Sequence, residues 1–142
     1  MRYRVTFIAA GLLAATLGIA PAAEPSLDFE FYKARVEPLF LQKRVGHARC
    51  YTCHAESNNA FRLQKLSPNS DTWSAEQSRR NFETVSALVV AGKPAESRLL
   101  THPLAPEAGG SAFHNGGRQF GSQDDPGWKL LEQWTNGEKQ SR

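Results

Sequence analysis

The chain reads as an all-α domain, and three observations predict it. Apolar residues recur at helical spacing in several segments, those segments carry cap signals at their ends, and no stretch alternates apolar and polar residues as a half-buried strand would. The first helix is expected from about Leu27 to Gln42, capped by Ser26 or Asp28, with Phe29, Tyr32, Val36, Leu39 and Phe40 forming its apolar stripe. Pro38 falls inside that stripe, where a missing N–H and a ring clash predict a kink or a break. Residues 55–73 are polar and interrupted by Asn58, Asn59, Pro68, Asn69 and Ser70, which predicts a loop anchored by Phe61, Leu63 and Leu66.

Ser74 to Gln77 has the Ser-x-x-Gln form of a capping box, and it opens a second helix through Phe82, Val85, Leu88 and Val89, with Gly92 as its stop. Pro94 at a first-turn position opens a shorter helix through Ala95 to about Thr101, closed by Pro103. Between Pro103 and Asp125 lie five glycines and Pro106 without periodicity, so this is a long loop, ordered or flexible, of a length that often carries function. A last helix begins at Asp124 or Asp125, with Pro126 in its first turn, carries Trp128, Leu131 and Trp134, and stops at Gly137. The tail, residues 138–142, is expected to fray. Trp73, Trp128 and Trp134 read as core residues.

At the N-terminus, Arg2 and Arg4 precede a fourteen-residue apolar run from Phe7 to Ala20, followed by Pro21, Ala22 and Ala23. This is the pattern of a secretory signal peptide, and the run is short of the ~20 residues that a membrane-spanning helix needs. Residues 1–23 are therefore expected to be removed, leaving residues 24–137 as one domain in a periplasmic or secreted protein; an uncleaved anchor is the alternative. Formal charge is +3, from 17 Lys and Arg against 14 Asp and Glu. Without Arg2 and Arg4, fifteen basic residues face fourteen acidic ones, which leaves +1 and no electrostatic case for nucleic acid or acidic membranes. Lys43, Arg44 and Arg49 form a local basic patch that could orient a partner, although a solvated face explains it as well.

The chemistry is carried by Cys50-Tyr51-Thr52-Cys53-His54, a Cys-X-X-Cys-His sequence of the kind that attaches haem covalently. Two thiols three positions apart can add to the two vinyl groups along one haem edge, and the adjacent imidazole then lies under the iron. The chain has 2 cysteines, so one haem uses both. A zinc site would need a second Cys or His pair at related spacing, and a thioredoxin-like pair would need a βαβ setting; neither pattern is present. In bacteria this attachment takes place outside the cytoplasm, in agreement with the signal segment.

Taken with its flanking segments, the chain resembles single-haem cytochrome c domains, and more closely the planctomycete-type cytochrome c domain. The resemblance runs through Val36-Glu37-Pro38-Leu39-Phe40, Cys50 to His54, Ala95-Glu96-Ser97-Arg98-Leu99-Leu100 and Leu130-Leu131-Glu132-Gln133-Trp134, and it covers most of residues 27–137. It implies a cytochrome c-like fold in which N- and C-terminal helices cross around one covalently attached haem c, with long irregular loops. Phe29 or Tyr32 would then meet Leu131 or Trp134. It also implies thioether bonds at Cys50 and Cys53 and His54 as the proximal iron ligand.

In class I members of that family the sixth ligand is a methionine between the middle and last helices, whereas the sole methionine here is Met1, which leaves with the signal. A neutral imidazole is a good replacement. His47 stands three residues before Cys50, too short a chain to cross from one haem face to the other. His102 is followed by Pro103, which holds its backbone extended. His114 lies in Phe113-His114-Asn115-Gly116-Gly117-Arg118, where glycines permit close backbone approach to a flat cofactor, and it stands twenty residues before Trp134, near where the methionine loop falls in the family. His114 is the preferred sixth ligand, His102 the alternative, and a sixth position without a strong ligand stays open. Arg62 and Arg118 could pair with haem propionates.

The expected function is electron transfer between redox partner proteins, without catalysis, with no nucleic-acid partner and no stable membrane insertion once the signal is cleaved. One rival is a haem-based gas-binding or peroxidase-like protein with a labile sixth site, although the sequence shows no clear distal acid/base pair. The other is a non-haem interaction module with a Cys50–Cys53 disulfide.

Overall fold

Asp28 opens the first helix, its carboxylate accepting a hydrogen bond from the Phe31 N–H at 2.7 Å. In the computed structural model, which describes residues 25–141, this helix runs unbroken through Phe29–Phe31, Tyr32–Val36 and Glu37–Leu41. The expected signal segment, residues 1–23, lies outside the described residues. Pro38 neither breaks nor ends the helix. The middle segment is wound as a π-helix, so the Glu37 N–H reaches back to the Tyr32 carbonyl, and Pro38 falls in the first turn of the α segment that follows. Proline is tolerated in the first turn of an α segment, and the wider turn before it keeps the helix continuous.

The haem-type motif forms its own short helix, Cys50–His54. The next helix, Ala75–Ser86, has both halves of the capping box: the Ser74 hydroxyl accepts from the Gln77 N–H at 3.3 Å, and the Gln77 side chain accepts from the Ser74 N–H at 3.0 Å. It stops at Ser86, well short of the expected Gly92, because tertiary partners take over the backbone. The Leu99 N–H donates to the Leu88 carbonyl at 3.1 Å, and the Val90 N–H donates to the Ser97 hydroxyl at 2.9 Å. Ser97, buried and extended, also divides the expected third helix into a 3-10 turn, Pro94–Glu96, and an α-helix, Arg98–Thr101.

The long loop is tied together at its base. Gln119 N–H donates to the Pro103 carbonyl at 2.8 Å, Ala105 N–H to the Phe120 carbonyl at 2.9 Å, and Ser111 N–H to the Thr101 carbonyl at 2.8 Å. Gly110 passes so close to its own loop that a Cβ there would stand 1.9 Å from the Leu104 carbonyl oxygen, an approach only glycine permits. One isolated parallel bridge, Leu104 to Phe120, is the sole β pairing among the described residues, which contain no strand. The last helix, Pro126–Thr135, is capped by Asp125, which accepts from the Gly127 N–H at 2.8 Å. Beyond it the tail is bound where fraying was expected: the Glu138 N–H donates to the Gln133 carbonyl at 3.0 Å, and Lys139 Nζ donates to Ser26.

First and last helices meet through Tyr32 and Trp134, with ring centres 5.4 Å apart and both side chains fully buried. Trp134 Nε1 donates to the Asp28 carbonyl at 2.9 Å, and Phe82 packs edge-on against both rings. Burying an aromatic side chain of roughly 150–250 Å² at about 25 cal/mol per Å² contributes about 4–6 kcal/mol per ring before ordering entropy. The fold is all-α, and no described helix is long and apolar enough to cross a membrane.

Candidate cofactor site

Beside this aromatic core lies an open-mouthed cavity of about 160 Å³. Leu39 and Phe40 of the first helix, Leu99 and Leu131 supply apolar walls. Cys50, Cys53 and His54 enter from the motif helix, His102 from the end of the Arg98–Thr101 helix, and His114 from the long loop. The fold thus brings both thiols and three of the four histidines of the sequence to one space, while His47 is not part of its lining.

His54 closes the motif helix, and its Nδ1 stands 2.7 Å from the Phe61 carbonyl. A carbonyl only accepts, so the proton is on Nδ1 and the Nε2 lone pair is unshared. The Phe61 ring packs on the imidazole at 4.1 Å between centres. His114 has the same arrangement, with Nδ1 2.6 Å from the Gly117 carbonyl. That bond spans a tight turn in which Gly117 takes a φ of +77° and its N–H returns to the His114 carbonyl at 3.0 Å. The two imidazoles face each other with ring centres 6.3 Å apart and ring planes 22° from parallel.

His102 differs. Its Nε2 accepts from Arg98 Nε at 3.2 Å, and its Nδ1 is 2.8 Å from the Ser111 hydroxyl, so both ring nitrogens are engaged. Burial, with Arg98 close by, pushes its pKa below the ordinary histidine value. Burial also lowers the His54 pKa, with the Phe61 bond opposing and the neighbouring His114 acting in the same direction as burial. Burial pushes the Cys50 thiol up. Cys50 is half-buried, Cys53 is exposed, and the two are not joined.

Several bonds from distant segments hold the site. Arg44, just before the motif, forms a two-pronged ion pair with Asp125 at the start of the last helix, Nη1 to Oδ1 being 3.1 Å. Gln119 Nε2 donates to the Ala48 carbonyl at 3.2 Å, tying the motif's approach to the long loop. The Leu63 N–H donates to the His54 carbonyl at 2.9 Å.

Arg62 and Arg118 do not line the cavity; Arg118 instead spans the long loop, donating to the His102 and Ala112 carbonyls. Arg49 and Arg98 line it in their place. For Arg98 the signal was available, since it stands one helical turn before His102. The Phe61 and Gly117 carbonyls had no signal at all, because a backbone acceptor carries no residue preference.

The donor set suits a planar cofactor that brings its own equatorial ligands. Two thiols one helical turn apart stand at the same cavity for covalent attachment. Both ring Nδ1 atoms are fixed by carbonyls, the outer-shell arrangement that orients metal-bound histidines. No protein-family model matches the chain, and neither does any curated protein or solved structure.

Proposed function

We propose that this chain is a single-haem c-type cytochrome that carries electrons between redox partners in the periplasm or outside the cell, with His54 and His114 as axial ligands. The observation that carries this reading is the pair of opposed imidazoles, each anchored through Nδ1 and each with a free Nε2, beside Cys50 and Cys53. Cys50 and Cys53 would hold haem c through thioether bonds. The haem supplies a one-electron iron couple; the protein supplies ligands, burial and orientation. Phe61 and Gly117 orient the two ligands, while Leu39, Phe40, Leu99 and Leu131 exclude water from the cofactor's faces. With both axial positions filled, electron transfer is favoured over gas binding or peroxide chemistry.

The test is expression alongside haem-maturation machinery, followed by mass and spectral measurement. The expected product carries one covalent haem, is low-spin in both oxidation states and does not bind carbon monoxide rapidly. Rapid carbon monoxide binding would favour the gas-binding or peroxidase-like reading. A protein purified without covalent haem and with a Cys50–Cys53 disulfide would favour the non-haem module.

A further inference from the structure

Glu37 is the only buried charged side chain among the described residues, at 6% exposure. The π turn puts it there. In an α-helix, residues five apart point about 140° away from each other, but here the Glu37 N–H bonds to the Tyr32 carbonyl and both side chains are buried. π turns of this kind are frequent at functional sites. From the Ala75–Ser86 helix, Ser78 donates its hydroxyl to Glu37 Oε1 at 2.9 Å. Asn81, one turn further along that helix and fully buried, accepts from the Gln64 N–H at 2.7 Å. Glu37 Oε2, Tyr32 Oη and Asn81 Nδ2 have no hydrogen-bond partner.

The charged groups near the carboxylate are few. Lys33 on its own helix and Asp71 from the preceding loop border the shallow depression beside it, and the other packed elements present the neutral Ser78, Asn81 and Trp73. The cavity is close. Leu39 and Phe40, two and three residues on, line it, and Phe40 packs at 5.3 Å between centres on Phe61, whose carbonyl holds His54. Glu37 thus stands on the helix that walls the cofactor space, one turn before a lining residue.

On the haem reading above, we infer that Glu37 is a proton-binding site linked to the redox state of the cofactor. When a reduced partner passes one electron to a bound haem, the Glu37 carboxylate would take up one proton from the bulk solvent, and it would return that proton to the solvent when the electron leaves. Ferric iron carries one more positive charge than ferrous iron, so an anionic Glu37 stabilises the ferric state and is itself stabilised by it. Two unit charges roughly 10 Å apart at an effective dielectric constant of about 20 change proton binding about tenfold. Burial, opposed by Ser78 and Lys33, raises Glu37 above the ordinary carboxylate pKa.

The test is the reduction potential of the haem-loaded protein as a function of pH, for wild type, Glu37→Gln and Ser78→Ala. Wild type should show a fall with rising pH that Glu37→Gln lacks. At the alkaline end Glu37→Gln should sit higher by about tenfold in the redox equilibrium, ~59 mV for a one-electron couple. Ser78→Ala, which removes a donor to the charged form, should move the fall to higher pH. Redox difference infrared spectra should show a protonated carboxyl band appearing on reduction in wild type and missing in Glu37→Gln. Superimposable profiles in all three haem-loaded proteins would overturn this inference and leave the haem reading standing. A wild type without covalent haem would overturn both.

Discussion

The imidazoles of His54 and His114 face each other 6.3 Å apart between ring centres, each with its Nδ1 bonded to a carbonyl and its Nε2 free. The two rings come from a five-residue helix and a glycine turn sixty positions apart, so their opposition is a property of the fold.

That opposition predicts unequal effects for the two loop histidines. His114→Ala should lose the low-spin spectrum of the haem-loaded protein and gain a high-spin one that binds carbon monoxide. His102→Ala should keep the low-spin spectrum, because its ring nitrogens are already taken by Arg98 and Ser111. Loss of the low-spin signal in His102→Ala alone would reverse the assignment.

The reduction potential should fall below that of His/Met cytochromes, since an axial methionine raises it. His114→Met should move the potential upward if the thioether binds. A wild-type titration at a strongly positive, His/Met-like value would count against ligation by two histidines.

The helix contact predicts a large stability loss. Trp134→Ala removes a fully buried ring from Tyr32 and Phe82 together with one of the two hydrogen bonds to the Asp28 carbonyl, and should cost about 3–5 kcal/mol in denaturant unfolding. Trp134→Phe keeps most of the packing and leaves the Asp28 carbonyl with its other donor, the Tyr32 N–H, so it should cost about 0.5–1.5 kcal/mol, the range for one lost hydrogen bond.

Asp125 predicts a pH dependence. Burial pushes its pKa up, but the Arg44 guanidinium and the Gly127 and Trp128 N–H groups outweigh that and hold it below the ordinary value. A carboxylate depressed in the folded state stabilises fully above its unfolded pKa of about 3.9, and the contribution is lost as pH falls through the lower folded value. Asp125→Asn should remove about 1 kcal/mol at pH 7 and flatten the acid limb of stability below about pH 4. An unchanged acid limb would show that the Arg44–Asp125 pair has no part in it.

Much of the fold was legible because its signals are local. The Ser74–Gln77 capping box, the Asp125–Pro126 start and the Gly137 stop all stand where their residue types predict. The errors fall where the backbone finds partners outside its own segment. The helix ending at Ser86 was over-extended toward Gly92 because the Leu88 carbonyl and Val90 N–H bond to Leu99 and Ser97. The unbroken passage through Pro38 rests on a π turn, which no residue preference announces.

By itself the sequence determined the all-α class, the Cys50–His54 motif and the short list of histidines available to face it, since these depend on residue type and spacing. Only the tertiary structure decided which imidazole stands opposite His54 with a nitrogen free and which is held by Arg98 and Ser111. Only it turned Glu37 inward against Ser78. The reason is physical: a side chain's role depends on which hydrogen-bonding atoms are already occupied, and here the occupying groups come from segments far apart along the chain.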